Sequence, residues 1–322
     1  MFRARMSTAI VEPQVNSGRT PTTSSSHNHP QIDESHARFF RENGYLVVEN
    51  AISIAEVEEL RREAVRICRG EIGPINGAPE ISPTESDDDV MKKILCIHNP
   101  HKFSKVLHPY LATRTMVEVL TRIISPNVKA MQSMLFIKAA GKPGQAWHQD
   151  EFYIPTRDRS LCGGWIAMDR ATTENGCLWV IPGSHKHGVL WPQHWHGDRR
   201  FDCAGEAFDF PYSDDDAIPV EVNAGAIVFF NGYLLHRSFP NRAQSGFRRC
   251  LVNHYMSAES LLPWQVPKDG KSVATTDFRD IVMVAGRDPY AYKGIEDILK
   301  PSIRPSGEGG CQSWGSDRKY IK

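Results

Sequence analysis

The chain has 322 residues and a formal net charge of zero, with 38 Lys and Arg against 38 Asp and Glu. This balance does not indicate binding to nucleic acid or to an anionic membrane surface, and no stretch reaches the roughly 20 apolar residues that a bilayer-spanning helix needs. Apolar residues make up 40% of the sequence, enough for a substantial core. We therefore expect neither nucleic acid nor a membrane as a partner, and a monomer or a homodimer.

The seven cysteines are odd in number, scattered and without a CxxC pair. This usage favours a reduced, cytoplasmic compartment over a disulfide framework. The N-terminus has no apolar segment typical of a secretory signal. Arg3, Arg5 and Arg19 among Ser and Thr residues are similar to an organelle transit peptide, whereas Glu12 and several prolines count against one. We expect a cytoplasmic protein, with organelle targeting as the alternative.

The N-terminal segment 1–31 is rich in Ser, Thr, Pro and Asn and has no periodic apolar pattern. It is predicted to be a disordered tail, and residues 32–322 are predicted to form a single domain. The first predicted helix covers residues 33–43 and ends at Gly44, a residue type that commonly ends helices. Residues 45–48 predict a strand.

A capping box of Ser53 and Glu56 predicts the start of a second helix. The Gly- and Pro-rich residues 70–90 follow as a loop whose length indicates that it is functional or mobile. A further helix is predicted from about residue 109 to residue 124.

From Val128 onward, short strand-like runs alternate with turn signals. Asn175-Gly176 and Asn231-Gly232 are dipeptides typical of β-hairpins. A series of short strands within one stretch predicts a β-sandwich or jelly-roll barrel, so the domain is expected to be mainly β with flanking helices. The predicted strands are 128–139, 147–154, 161–169, 177–182, 218–222, 226–230, 233–239 and 248–257, followed by helices near 276–285 and 294–299.

The densest group of reactive residues lies between Trp147 and Glu151. Residues two apart on a strand share a face, so His148 and Asp150 would point together into a barrel. His236 lies on a late strand, which a jelly roll can place opposite an early one, and it is the candidate third ligand. Two histidines and one carboxylate with open positions suit non-haem Fe(II) that also binds a co-substrate and O2.

Other histidines compete for the role of third ligand. His185 and His187, and likewise His194 and His196, have the spacing of a cupin pair, but neither pair has the glutamate expected shortly afterwards. Asp198 gives the second pair a spacing similar to that of metallohydrolases, without the adjacent histidine expected there. We interpret these four as loop histidines. Three more histidines could line a site but are interpreted as solvated or hydrogen-bonded side chains: His98, His101 and His108. His254 is interpreted as a core or ligand-supporting residue.

A co-substrate such as 2-oxoglutarate would bring a carboxylate into the barrel, and a buried charge is costly without a partner. Arginine meets a carboxylate with two parallel hydrogen bonds. Arg248 and Arg249 open the strand after His236, and strand alternation turns only one of them inward. Ser238 shares the face of His236 and is a candidate second donor.

These residues resemble the phytanoyl-CoA dioxygenase family over roughly residues 34–257. The most specific segments are 147–153 (Trp-His-Gln-Asp-Glu-Phe-Tyr), 164–169 (Gly-Trp-Ile-Ala-Met-Asp), 174–185, His236-x-Ser238 and 246–248 (Gly-Phe-Arg). The resemblance implies a double-stranded β-helix, which is a cupin-like jelly-roll barrel. It also implies Fe(II), 2-oxoglutarate and O2 as cofactor and co-substrates.

The resemblance also implies a role for individual residues. His148, Asp150 and His236 match the iron ligands that form the catalytic centre. One extra residue between His236 and Arg248 keeps Arg249 open as the carboxylate anchor. The residues matched to co-substrate binding or the metal's surroundings are Arg248, Ser238, Trp165, Gln149 and Lys93.

The expected function is hydroxylation or another oxidative tailoring of a small molecule, with release of succinate and CO2. The alternatives are a non-catalytic metal- or ligand-binding relative, and a cupin-type dioxygenase that does not use 2-oxoglutarate. The family acts on substrates from acyl-CoA esters to amino acids and secondary metabolites, and the ending Lys319 to Lys322 lacks a peroxisomal signal, which disfavours a fatty-acyl role. Residues 70–90 are expected to be a lid over the site, and residues 192–216 a second wall.

Overall fold

The computed structural model describes residues 29–262, 278–307 and 309. The helices are α1 (Glu34–Asn43), α2 (Ile54–Cys68), α3 (Asp87–Lys92) and α4 (Arg114–Ile123). The strands are β1 (Tyr45–Val48), β2 (Ile94–His98), β3 (Val128–Ala139), β4 (Gln145–His148), β5 (Cys162–Ala167), β6 (Leu178–Val180), β7 (Gln193–His194), β8 (Glu206–Ala207), β9 (Ile218–Val220), β10 (Ile227–Asn231), β11 (His236–Ser238), β12 (Phe247–Ser257), β13 (Val282–Ala285) and β14 (Ser302–Pro305). Most of the expected tail, 1–31, lies outside the described residues, so the tail and the single domain stay predictions.

Two antiparallel sheets form the body of the fold. The larger sheet has the order β1-β10-β5-β12-β3-β2-β14, with β13 also paired to β3. The smaller sheet has the order β4-β11-β6-β9, and β7 and β8 form a separate pair. Antiparallel strands that are distant in sequence become neighbours in both sheets, as in a jelly roll. The expected mainly-β jelly-roll fold with flanking helices is therefore confirmed.

The larger sheet is apolar on both faces. On β12, Leu251 packs into the cluster that contains Leu60 of α2, whereas Cys250 and Val252 pack into the cluster that contains Val180 of the smaller sheet. Successive strand residues point to opposite faces, so one strand serves both layers. The helices cover the outer face of the large sheet, and the small sheet covers its inner face.

The two Asn-Gly dipeptides do not form the predicted hairpins. The strands on either side of Asn175-Gly176 are β5 and β6, and those around Asn231-Gly232 are β10 and β11. In each case the first strand belongs to the large sheet and the second to the small sheet. The turns were predicted correctly, but they carry the chain between layers, because in this fold the pairing partners come from distant segments.

Several elements differ from the sequence prediction. The described part of the predicted helix near 276–285 contains the strand β13 and no helix, and the described residues 294–299 form no helix. Short apolar runs do not distinguish strand from helix, and pairing with β3 decides the conformation of β13. Helix α3 begins within the predicted loop and extends two residues beyond it, and the edge strand β14 was not predicted.

The predicted helix boundaries near the N-terminus are confirmed. Ser53 Oγ accepts a hydrogen bond from Glu56 N at 3.3 Å, and the Glu56 carboxylate accepts one from Ser53 N at 2.7 Å. Both hydrogen bonds of the capping box satisfy free donors at the start of α2. Gly44 ends α1 with φ of 80°, and a Cβ there would lie 2.4 Å from the His185 ring. A side chain at residue 44 would therefore be strained by conformation and by space.

The cysteines only partly match the expectation of a reduced chain. Cys203 is disulfide-bonded, so not every cysteine of the chain is a free thiol. The thiols described as free are all buried, and they pack in the core as small apolar side chains: Cys68, Cys96, Cys162, Cys177 and Cys250.

Leu251 at the centre of the larger sheet provides a test of this packing. We expect Leu251→Ala to lower the free energy of unfolding by about 2–5 kcal/mol, because a fully buried side chain leaves a cavity behind. Ile54→Ala, at a position that is 62% exposed, should change it by less than about 0.5 kcal/mol. Urea unfolding midpoints measure both. Equal losses in the two variants would contradict the assignment of Leu251 to the core.

Candidate metal centre

The pairing of β11 with β4 brings the predicted metal ligands together. His236 of β11 lies directly opposite His148, the last residue of β4. Gln149 continues in an extended conformation, and Asp150 then begins a 3₁₀ turn that ends at Phe152. The predicted strand 147–154 therefore ends earlier than expected, yet Asp150 still turns back toward the two histidines.

The three side chains direct their donor atoms to a common point. Asp150 Oδ1 lies 3.7 Å from His148 Nε2 and 3.7 Å from His236 Nε2, and all three donor atoms lie within 4.8 Å of one another. His148 Nδ1 lies 2.8 Å from the Ala146 carbonyl oxygen, and His236 Nδ1 lies 3.0 Å from the Leu234 carbonyl oxygen. A carbonyl only accepts, so each Nδ1 carries the proton and each Nε2 presents a free lone pair.

The charges of the three side chains suit a divalent cation. Burial, together with the neighbouring His236, lowers the pKa of His148 to about 4, so its imidazole is neutral. Burial opposes ionisation of Asp150, but His236 and the hydrogen bond with His254 hold its pKa below the usual range. His254 Nε2 donates to Asp150 Oδ2 at 3.0 Å and leaves Oδ1 facing the two histidines. Two imidazole nitrogens and one carboxylate that converge on one point fit a non-haem Fe(II) ion.

A cavity of about 300 Å³ opens beside the three ligands. It is bordered by all three ligands and by Trp165, Ser238 and Arg248. The cavity also reaches Tyr153, Gln145, His98 and Arg304. A concave, mostly apolar space with few polar groups is typical of a small-molecule site.

Arg248, and not Arg249, faces this cavity. Its guanidinium is buried and lies 5.5 Å from the centroid of the Trp165 ring. Within the described part of the chain it donates only to the weak acceptor Cys250 Sγ, at 3.0 Å, and its buried Nε has no partner there. Arg249 points to the opposite face and is paired through two nitrogens with Asp169 at 2.8 and 2.9 Å. A buried guanidinium without a carboxylate partner among the described residues fits an incoming anion.

Lys138 is a residue of this site that the sequence analysis missed. It lies opposite Arg248 in the pairing of β3 with β12, and its ammonium group donates to Ser238 Oγ at 2.8 Å and to the Phe239 carbonyl oxygen at 2.8 Å. Burial and the neighbouring Arg248 lower the pKa of Lys138 well below its ordinary value. Because the lysine occupies a lone pair of Ser238 Oγ, the serine proton is free to point toward an anion beside Arg248. Only strand register relates Lys138 to this site, so its spacing in the sequence gave no signal.

Comparisons with known proteins agree with this geometry. The family model described as phytanoyl-CoA dioxygenase matches residues 40–250. The bovine (Bos taurus) peroxisomal phytanoyl-CoA dioxygenase is 31% identical over 269 residues, which cover 80% of this chain and 77% of that protein. The human (Homo sapiens) protein of the same name is 30% identical over 69% of this chain and 68% of its own length. The chain belongs to the phytanoyl-CoA dioxygenase family. It is a non-haem iron dioxygenase by that membership.

Solved structures show the same fold. The α-ketoglutarate-dependent carbocyclase SnoK from nogalamycin biosynthesis matches with a TM-score of 0.54 and 20% identity, covering 72% of this chain and 86% of its own. The epimerase SnoN, solved with Fe3+, α-ketoglutarate and nogalamycin RO, matches with a TM-score of 0.56 and 17% identity, covering 84% and 94% respectively. This likeness supports the double-stranded β-helix expected from the family resemblance.

Two of the residues carried over from the family lie outside the cavity. The Gln149 amide donates to the Val189 and Tyr233 carbonyl oxygens at 2.9 and 2.8 Å, so it holds the adjoining loops together. Lys93 donates to the Glu80 carbonyl oxygen and pairs with Glu85. Neither borders the cavity, because one side chain points away from the ligands and the other binds the preceding loop.

The expected lid does not border the metal cavity. None of residues 70–90 lines it, and residues 72–76 instead line a separate cavity of about 720 Å³ with His101 and His108. The loop is tied to β14 by the hydrogen bond from Ile303 N to the Asn76 carbonyl oxygen. The second expected wall, 192–216, does reach the metal cavity, at Ala204.

The rival histidines are separate from the three ligands. The His185 ring nitrogen Nε2 binds the Arg41 carbonyl oxygen at 3.1 Å, and His194 pairs with Glu206 at 3.3 Å. His254 contacts Asp150, which confirms its interpretation as a side chain that supports a ligand. His98 borders the cavity, which corresponds to the less favoured of its two interpretations, a residue that lines the site.

Removing the carboxylate should remove metal binding. We expect Asp150→Ala to weaken Fe(II) binding by about a hundredfold or more, because the anionic ligand is lost and only the two imidazole ligands remain. Anaerobic equilibrium dialysis measures the dissociation constant. The matched control is Asp198→Ala, which removes a surface carboxylate paired with Arg200. Unchanged Fe(II) affinity in Asp150→Ala would show that the ion binds elsewhere.

Proposed function

We propose that this enzyme uses Fe(II), 2-oxoglutarate and O2 to hydroxylate, or otherwise oxidise, a small molecule, with release of succinate and CO2. The observation that carries the proposal is the pairing of two features in one cavity. His148, Asp150 and His236 converge as a metal site, and Arg248 lies in the same cavity without a carboxylate partner among the described residues.

The residues present fit both groups. His148, Asp150 and His236 would hold the ion, and the cavity beside them would receive 2-oxoglutarate and O2. Arg248, with Ser238 oriented by Lys138, would receive the distal carboxylate of 2-oxoglutarate. Trp165 lies against the guanidinium and limits the access of water to the charge pair. The complex of SnoN with Fe3+ and α-ketoglutarate gives a relative in fold in which both groups bind together.

When they are bound, Fe(II), 2-oxoglutarate and O2 supply the oxidant that removes hydrogen from the substrate. The protein holds and orients these groups. His254 fixes Asp150 through one carboxylate oxygen, and the Nδ1 contacts fix the orientations of His148 and His236. Tyr153, bound through its hydroxyl to Gln193 at 2.6 Å, closes one side of the cavity.

Arg248 also distinguishes the competing functions. A cupin-type dioxygenase that does not use 2-oxoglutarate has no need for a buried cation whose partners are a thiol and an aromatic ring. A non-catalytic relative has no need for three converging ligands with open positions. Both features are present here, so the oxygenase is favoured over either alternative.

The expected surroundings of the enzyme are part of this proposal. None of the helices in the described residues is long and apolar enough to cross a membrane. A small organic molecule matches the size of the cavity. We retain a cytoplasmic location, no nucleic-acid partner, and a monomer or homodimer as proposals.

Anaerobic titration tests the function directly. Fe(II) and 2-oxoglutarate added together should give a weak visible charge-transfer band, because the co-substrate binds the ion through its keto acid. Admission of O2 should then yield succinate. The matched control is succinate in place of 2-oxoglutarate, which has no keto group to bind the ion and should give no band. If the wild-type protein binds Fe(II) but shows no band with 2-oxoglutarate, the proposed function fails.

Substitution of each of the two adjacent arginines tests which one binds 2-oxoglutarate and which one has a structural role. We expect Arg248→Ala to weaken 2-oxoglutarate binding by more than about a hundredfold, since loss of one partner of a buried charge pair costs roughly 3–5 kcal/mol. Arg249→Ala breaks the pair with Asp169 and should lower thermal stability while 2-oxoglutarate affinity is retained. The intensity of the charge-transfer band against 2-oxoglutarate concentration gives both affinities. The reverse pattern would identify Arg249 as the anchor.

A further inference from the structure

Arg304 is a second cation in the metal cavity that the proposed reaction does not use. It lies on β14, at the far edge of the large sheet and beyond the residues matched by the family model. Of the lysines and arginines in the described residues, only Arg248 and Arg304 border the cavity. Arg248 is assigned to 2-oxoglutarate, so Arg304 needs a separate explanation.

The register of the sheet turns Arg304 toward the cavity. Arg304 pairs with Cys96 of β2, which pairs with Phe136 of β3, which in turn pairs with Cys250 of β12. Residues paired in this way share a face of the sheet. Phe136 borders the cavity, so the whole row faces inward.

Arg304 and Arg248 are too far apart to serve the same carboxylate. Their strands, β14 and β12, are separated by β3 and β2, which amounts to three strand spacings or roughly 14 Å between backbones. A 2-oxoglutarate molecule that binds iron through its keto acid and reaches Arg248 with its distal end has no third carboxylate for Arg304.

The protein leaves most of the Arg304 guanidinium unpaired. One nitrogen, NH2, donates to the Cys203 carbonyl oxygen at 3.1 Å and lies 3.4 Å from Asp202 Oδ2. The side chain is 33% exposed, and Nε and NH1 have no partner among the described residues. By contrast, Arg249 binds Asp169 through two nitrogens at 2.8 and 2.9 Å. The contact with Asp202 is therefore not the close, two-point pair that a purely structural arginine makes here.

Asp202 supports this reading. Its side chain is only 4% exposed, yet neither carboxylate oxygen has a hydrogen-bond partner in the described part of the chain. The carboxylate lies close enough to Arg304 to hold the guanidinium at the cavity wall, and it leaves the two other nitrogens free. Burial raises the pKa of Asp202, whereas burial and Arg304 lower the pKa of His98 on the neighbouring strand. His98 is therefore neutral, and Arg304 provides the positive charge at this end of the cavity.

Resting on the proposed function, we propose that Arg304 binds a carboxylate of the substrate through the donors of its guanidinium that Cys203 and Asp202 do not occupy. The substrate is then a small organic acid held at one end by Arg304, with the carbon to be oxidised near the three metal ligands. A planar carboxylate matches the two adjacent donors of a guanidinium. The cavity of about 300 Å³ suits a molecule of modest size once 2-oxoglutarate is also present.

Calorimetric titration of the anaerobic protein, saturated with Fe(II) and 2-oxoglutarate, tests this proposal with hexanoate, hexanamide and hexyl phosphate. Saturating 2-oxoglutarate keeps the probes away from Arg248. Hexanoate should bind about tenfold more tightly than hexanamide, because the amide lacks the charge that strengthens the hydrogen bonds. Tighter binding of hexyl phosphate than of hexanoate would replace the carboxylate by a phosphate and overturn the stated substrate class.

Two variants at the site distinguish binding from a structural role. Arg304→Met should weaken the binding of hexanoate by about tenfold or more. The affinities for hexanamide and for 2-oxoglutarate should not change. Asp202→Asn should strengthen the binding of hexanoate, because the substitution removes a negative charge that competes for the Arg304 guanidinium. If the pair of Arg304 and Asp202 were purely structural, Arg304→Met and Asp202→Asn should both lose hexanoate binding. Arg304→Lys, which keeps the charge, should retain part of the affinity, and thermal unfolding checks that each variant is folded.

Arg200→Met is the matched control, since it removes an exposed guanidinium paired with Asp198 outside the cavity. The proposal is overturned if hexanamide binds as well as hexanoate, if Arg304→Met keeps wild-type affinity for hexanoate, or if wild-type protein binds none of the probes. Loss of 2-oxoglutarate binding in Arg304→Met would make Arg304 a co-substrate anchor and would also overturn it. Failure of the proposed function is separate, because it appears as a missing charge-transfer band in the wild-type protein before any probe is added.

Discussion

The antiparallel pairing of β11 with β4 is the interaction on which the metal site depends. It places His236 directly opposite His148 and therefore joins two ligands that lie far apart in the sequence. Asp150 needs only two further residues to return to the same point, and His254 from the opposite sheet fixes its second oxygen. The site is thus a product of both layers of the fold, because the small sheet supplies the ligands and the large sheet supplies the contact that orients the carboxylate.

The large sheet places the two arginines of the cavity, Arg248 and Arg304, at different ends of it. Alternate residues of β12 face the cavity, so Arg248 and His254 lie along one wall while Leu251 supports the helices behind. Lys138 lies beside Arg248, and burial together with Arg248 lowers its pKa. Arg304 stands three strands away at the sheet edge. Because Arg248 and Arg304 are this far apart, we assign one end of the cavity to 2-oxoglutarate and the other to the proposed substrate.

The sequence determined the parts of the fold and site that depend on local pattern. The capping box of Ser53 and Glu56, the end of α1 at Gly44 and most strands from Val128 onward were predicted because they depend on residues close in sequence. The three ligands were predicted because their side-chain chemistry restricts the choice. Lys93 was proposed from a family match, and in the folded chain it pairs with Glu85 and does not border the cavity.

Only the tertiary structure decided which strands pair and what faces the cavity. The Asn-Gly turns were visible in the sequence, but crossing between sheets was not, because the partners of β5 and β10 come from distant segments. Arg248 and Arg249 are equivalent in the sequence, and pairing with β3 and β5 fixed which one turns inward. Register across the sheet brought Arg304 to the cavity and Lys138 to Ser238 at its wall. The sequence by itself determined the chemistry available to this enzyme, and non-local hydrogen bonding between strands decided where each group lies, because the energy of that pairing is spread over residues that share no local pattern.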